Sequence, residues 1–219
     1  MKEAEEAGVD SIHMDIMDGH YVHNLTFGIK MLPCLRPHTN LPFVVHLEID
    51  NPDDFIADFA QAGSDMIVVQ EDTCPDLTAT IEKIKSYNIA VGVALNPERP
   101  LDVMTHVLAQ IDLLLIMSVF PGFGGQRFLP EVLPKVEEAC RLVHDLESSP
   151  AIGLDGGINR QTIQAAVRAG ANFLAIGSAI YAGGSVGGNL RELRRLITKA
   201  FDALYAVISP ALASRNRSD

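Results

Sequence analysis

Leu113-Leu114-Leu115-Ile116-Met117-Ser118-Val119-Phe120-Pro121-Gly122-Phe123-Gly124-Gly125-Gln126 decides how the rest of the chain reads. Its first six residues are an apolar run without alternation, as expected of a strand covered on both faces. A glycine-rich loop follows, and residues 128–145 then read as a helix. One strand, one polar loop and one helix make a unit, and the unit recurs outward in both directions. Strands are predicted at residues 9–15, 41–49, 66–69, 89–95, 113–118, 151–155 and 173–177. Helices are predicted at 28–36, from Asn51 to Gly63, and at 76–87, 100–108, 128–145, 159–169 and 188–203, with a helix end at 1–7 closed by Gly8. Such alternation means a parallel sheet with helices on both faces. Seven strands are counted by residue 177, which leaves an open sheet or a barrel lacking one of its eight strands. No linker interrupts the pattern, so residues 1–219 are predicted to form a single domain.

The hydrophobic fraction of 47% argues against disorder. A net charge of −11 disfavours nucleic acid and anionic membranes as partners, since both want a basic patch. No apolar run reaches membrane-spanning length. The acidic start does not read as a signal peptide. Cys34, Cys74 and Cys140 are odd in number and widely spaced, which suits reduced thiols in a cytoplasmic protein.

The polar residues gather after the strands. His13 and Asp15 are two apart on the first strand and so share a face. His46 lies on the second strand and Asp155 on a later one. In a barrel these ends converge, and two imidazoles with two carboxylates suit one divalent ion: zinc, iron, manganese or cobalt. Glycines after three strands, Gly122-x-Gly124-Gly125, Gly156-Gly157 and Gly177-Ser178, can bring backbone N–H groups to a phosphate. Asp15 and Asp155, from opposite sides of the mouth, can take a proton from one face of a carbon and return one to the other. A cation would stabilise the enediolate between those steps.

Together these stretches resemble the ribulose-phosphate 3-epimerase family. The matching residues are His13-x-Asp15-x-Met17-Asp18-Gly19 with Asn24-x-Thr26-x-Gly28, His46-Leu47 with Pro52, and Gly92 to Pro97. They continue through Pro121-Gly122-Phe123-Gly124-Gly125-Gln126-x-Phe128, Asp155-Gly156-Gly157-Ile158-Asn159, Ala169 to Asn172, and Gly177-Ser178-Ala179-Ile180. The resemblance implies a TIM (β/α)8 barrel and a metal-dependent isomerase of pentose phosphate metabolism that interconverts D-ribulose 5-phosphate and D-xylulose 5-phosphate. It implies a divalent metal on His13, Asp15, His46 and Asp155, with Asp15 and Asp155 also as the acid/base pair. Phosphate would lie on the glycine loops, Met17 and Met117 would line the site, and a homo-oligomer is expected.

The chain departs from the family in several places. The family starts with a strand ahead of its first helix, whereas this chain starts inside that helix. Residues 206–212, within Tyr205-Ala206-Val207-Ile208-Ser209-Pro210-Ala211-Leu212, read as that strand moved to the other end, as in a circular permutation, with Ser209 lining the site. Glu48 stands where the family usually has methionine, Gln70 where it has histidine, His23 for a loop proline, Phe120 for a polar residue and Ala211 for a serine. Glu48 is an extra ligand, a contact for a substrate hydroxyl, or a solvated mouth residue. These departures leave the proton-transfer residues in place and leave the sugar open. Another ketose phosphate such as allulose 6-phosphate is one alternative, and a non-catalytic sugar-phosphate-binding barrel is another.

Overall fold

The computed structural model describes the backbone of residues 1–215 and the side chains of residues 1–202. Seven parallel strands form one sheet in sequential order: β1 (Ile12–Met17), β2 (Phe43–Glu48), β3 (Met66–Gln70), β4 (Ala90–Leu95), β5 (Leu113–Met117), β6 (Ala151–Asp155) and β7 (Phe173–Ala175). The helices are α1 (Lys2–Glu6), α2 (Met31–Leu35), α3 (Ile56–Gln61), α4 (Leu77–Lys85), α5 (Leu133–Val143), α6 (Ile163–Arg168), α7 (Ser178–Tyr181) and α8 (Val186–Arg215). Local chemistry explains their limits. At α4, the Asp76 carboxylate accepts a bond from the Ala79 N–H at 3.0 Å, capping a helix whose Leu77, Thr80, Ile81 and Ile84 face inward.

Two apolar layers hold the sheet. Outward-facing residues such as Val45, Ile67, Val91 and Leu114 are buried beneath the helices. The alternate residues Val44, Val68, Ala94, Leu113, Leu115 and Met117 fill the inside of the curve. Gly92 and Gly153 make room in that interior, because a Cβ on Gly92 would sit 2.7 Å from Val68 and one on Gly153 would sit 2.8 Å from Leu115. Parallel register sets the heights at which side chains meet: Asp15 lies opposite His46, Met17 opposite Glu48, and Met117 opposite Asp155.

Two expectations need correction. Residues 206–212 do not supply a strand, because they lie within α8. Leu190, Leu193 and Ala200 on that helix are buried at helical spacing, and once such a helix is seated each further residue adds one backbone bond. A short apolar run such as Val207-Ile208 does not by itself distinguish the two periodicities. Residues 100–108 are not an α-helix but two 3₁₀ turns, Leu101–Met104 and Leu108–Gln110, which tuck Leu101, Met104 and Leu108 under the sheet.

The sheet is therefore a curled, incomplete barrel. Among the described residues no strand joins β7 to β1. A cavity of about 420 Å³ lies along this seam, walled by Ile12, Leu174, Ile176, Ile180, Leu193 and Ile197. It reaches His13, Asp15 and Asp155 at the sheet's polar end.

Candidate metal and proton-transfer site

β1, β2 and β6 carry the central cluster. His13 Nε2 lies 3.1 Å from Asp15 Oδ1 and 3.4 Å from Asp155 Oδ2. His46 Nδ1 lies 3.1 Å from Asp15 Oδ1 and 3.7 Å from Asp155 Oδ2. One donor atom from each of the four residues falls within 4.8 Å of all the others, a group able to hold a metal ion. His46 is fully buried, His13 and Asp155 nearly so, and Asp15 is the most open at 40% side-chain exposure.

The charges follow from this packing. Burial opposes charge on both imidazoles, but Asp15 and Asp155 beside them outweigh it, raising His13 to about 9 and His46 to about 10. Burial likewise opposes ionisation of Asp15 and Asp155, and the two imidazoles overcome it and hold both carboxyls below the usual range. In the metal-free protein the imidazoles thus do for the carboxylates what a cation would do. The donor set, two imidazole nitrogens and two carboxylate oxygens, fits a divalent transition ion.

Side chains in and above the cluster belong to the same interior face. Met17 and Met117 are buried there. Glu48 is only 2% exposed, which excludes the solvated-mouth reading, and its Oε2 has no hydrogen-bond partner. Burial, reinforced by Asp15 and Asp155 and opposed by His46, lifts its carboxyl to about 7. Gln70, with no exposed surface, places its Nε2 3.0 Å from His46 Nε2 and leaves its Oε1 unpartnered. Thr26 Oγ1 braces β1 by accepting from Met17 N at 3.0 Å and donating to Asp15 O at 2.5 Å.

The glycine loops share this end of the sheet, yet several of those glycines are also required by packing. Gly156 and Gly157 have φ of +110° and +64°, and a Cβ on Gly157 would lie 2.5 Å from the Phe128 backbone nitrogen. Ser118 Oγ donates to the carbonyls of Asp155 and Gly156, tying the loop after β5 to that after β6. Gly122 O accepts from Asn24 Nδ2 at 2.6 Å, so the loop after β5 meets the loop after β1 across the mouth. Gln126 Nε2 donates to the Phe120 and Phe123 carbonyls and holds that loop's shape. A Cβ on Gly124, Gly125 or Gly177 would meet nothing within 4 Å. Gly177 lines the seam cavity beside Asp155, and Ser178 opens α7. Ser209 lies on α8, and its side chain is outside the described residues.

Sequence reasoning did not find one network. Asn96 Nδ2 donates to Tyr21 Oη at 2.7 Å and to Asp72 Oδ2 at 2.9 Å, and Tyr21 Oη donates to Asp72 Oδ1 at 3.1 Å. These residues come from three separate loops. The available signal was the capping and turn chemistry of Asp18, which accepts from the His20, Tyr21 and Asp50 N–H groups and so fixes where Tyr21 leaves the loop.

The 3-hexulose-6-phosphate synthase of Salmonella typhimurium superposes with a TM-score of 0.64 at 16% identity, covering 91% of each chain, which is a likeness of fold. The ribulose-phosphate 3-epimerase of Bacillus subtilis is 45% identical over 182 residues, 83% of this chain and 84% of that one. That of Synechocystis is 42% identical over 183 residues, 83% of this chain and 80% of that one. The family model for "Ribulose-phosphate 3 epimerase family" matches residues 1–181, and the chain belongs to that family.

Proposed function

We infer that this chain is a metal-dependent ketose-phosphate 3-epimerase that interconverts D-ribulose 5-phosphate and D-xylulose 5-phosphate. The observation that carries the reading is the meeting of two carboxylates from β1 and β6 with two imidazoles, within 4.8 Å, at the polar end of the sheet. His13 Nε2, His46 Nδ1 and one oxygen each of Asp15 and Asp155 would hold the ion. When bound, a divalent cation supplies Lewis-acid stabilisation of the charge that develops on the substrate's oxygens.

One of the two aspartates removes the proton from C3, and the C–H pair moves into the bond toward the carbonyl to leave an enediolate. The other aspartate returns a proton to C3 from the opposite face, inverting it. Direction of turnover decides which acts as base. Met17 and Met117 form an apolar wall that keeps water from the enediolate. The loops at Gly122, Gly124 and Gly125, at Gly156 and Gly157, and at Gly177 and Ser178 offer backbone N–H groups to the phosphate. The cysteines among the described residues are unpaired, in keeping with a cytoplasmic setting.

The test is exchange of the substrate C3 hydrogen with deuterated solvent, with and without a chelator. Chelator-sensitive exchange and formation of xylulose 5-phosphate are expected. Asp155→Asn is expected to lower kcat by roughly 10²–10⁴-fold, with far-UV circular dichroism unchanged. Near-normal turnover by that variant would overturn the assignment. The second reading, another ketose phosphate such as allulose 6-phosphate, rests on Glu48, a buried carboxylate able to accept from a substrate hydroxyl. Relative kcat/KM for the two sugars decides between them.

A further inference from the structure

Among the described residues four buried side-chain atoms have no partner: His13 Nδ1, Glu48 Oε2, Gln70 Oε1 and Asn96 Oδ1. Two of them are neighbours. The β2–β3 register pairs His46 with Val68 and Leu47 with Val69, so the next pair is Glu48 with Gln70. Both alternate onto the interior face, on strands about 4.8 Å apart. Two acceptors without a partner thus belong to adjacent positions of the interior face, while the amide's NH₂ is turned toward His46. An unmet acceptor in that position is costly, and here there are two.

His46 meets Gln70 with the wrong hydrogen for a metal ligand. An NH₂ facing Nε2 suits only a neutral imidazole with its hydrogen on Nδ1, directed at Asp15, whereas the doubly protonated ring and the metal-bound ring both carry hydrogen on Nε2 and need an acceptor there. Nδ1 is the atom that belongs to the cluster, and it can give its lone pair to a cation only when the hydrogen is on Nε2. The two ends of an amide have nearly the same shape, so a half-turn of the Gln70 amide needs no repacking. It gives Glu48 Oε2 a donor, gives Gln70 Oε1 the Nε2–H of His46, and frees Nδ1.

We propose that Gln70, itself held by Glu48, is the positioning residue that sets the metal-binding tautomer of His46, through a Glu48–Gln70–His46 hydrogen-bond chain. The inference rests on the metal-dependent reading above. Gln70 touches neither substrate nor ion. It acts on the ligand's free nitrogen, where such outer partners are worth about 10–100-fold in metal affinity.

The experiment uses the full chain and zinc ion alone. In the zinc-loaded parent, long-range ¹H–¹⁵N spectra of the imidazoles are expected to show His46 with hydrogen on Nε2 and none on Nδ1. Gln70→Leu, which fills the space but cannot accept, is expected to raise the zinc dissociation constant about 10–100-fold, while metal-free thermal unfolding stays near the parent's. The exchanged pair Glu48→Gln with Gln70→Glu reverses the bond between 48 and 70 but keeps an acceptor at 70 for His46 Nε2–H, and is expected to recover the parent's affinity. Unchanged affinity in Gln70→Leu, a weak-binding exchanged pair, or hydrogen on Nδ1 in the zinc-loaded parent would each overturn the role of Gln70 alone. The spectrum needs no variant to fold. A parent that binds no zinc overturns the metal reading and this inference with it.

Discussion

β3 and β4 are paired on both sides and buried almost from end to end, whereas β1 and β7 are each paired on one side only and face each other across a cavity. The same kind of apolar strand is used in both places. What differs is the number of neighbours, and with it the work left to side chains. The candidate site straddles the two regions: His46 stands on β2 within the wall, His13 and Asp15 on the edge strand β1, and Asp155 on β6 beside the edge strand β7. The cluster is therefore also a clasp. Its hydrogen bonds and opposite charges link β1 to β2 and β6 at the end of the seam where backbone pairing is missing.

The sharpest way to expose that difference is backbone hydrogen exchange. Amides of β3 and β4 should open only with the whole fold, while seam-facing amides of β1 and β7 should open locally. Protection is expected to differ on the order of 10²–10³-fold, roughly 3–4 kcal/mol in opening free energy. Equal protection in the two regions would mean that the seam is no weaker than the wall. Side-chain truncation repeats the comparison at a smaller scale. Leu114→Ala on β5 removes a fully buried side chain and is expected to cost about 2–5 kcal/mol in urea unfolding. Leu174→Ala on β7 removes one that is only partly buried and already borders empty space, so it is expected to cost about 1 kcal/mol or less. A Leu174→Ala cost matching that of Leu114→Ala would show that the cavity does not relieve packing there.

The wall was the easier half to read from residues. Leu113 to Met117 can be little else than a doubly covered parallel strand, and period-two placement put His13 and Asp15 on one face before any geometry was known. The seam was harder, because its outcome depended on which of two periodicities residues 206–212 would join, and α8 had already set the helical one. Residues 100–108 failed for a related reason: a short segment after Pro97 and Pro100 buries its apolar residues in two tight turns without needing a full helix. Within the site, the four ligand candidates are polar residues on otherwise apolar strands and were visible. Gln70 and the Tyr21–Asp72–Asn96 network depend on strand register and loop paths, which a sequence does not display.

The clasp should respond to pH, with a sign the charges determine. In the metal-free protein His13 and His46 keep their protons to about 9 and about 10, whereas in the unfolded chain they lose them near 6.5. Their contribution is fully present below about pH 6.5 and is lost as pH rises through 9 and 10. Glu48, raised to about 7, acts in the same direction and weakens the fold between roughly pH 4.5 and 7. Asp15 and Asp155, lowered from their usual value, contribute above about pH 4, and that contribution is lost on further acidification. Chelated protein is thus expected to be most stable near pH 5 and to lose on the order of 5 °C in Tm toward pH 9, with exchange on β1, corrected for its intrinsic rate, rising before that on β4. Zinc-loaded protein should show the opposite slope between pH 5 and 7.5, since an ion needs neutral imidazoles and binds more tightly as they deprotonate. If the two forms share one pH profile, the ion and the imidazole protons do not compete for the same atoms, and the clasp is not the metal site.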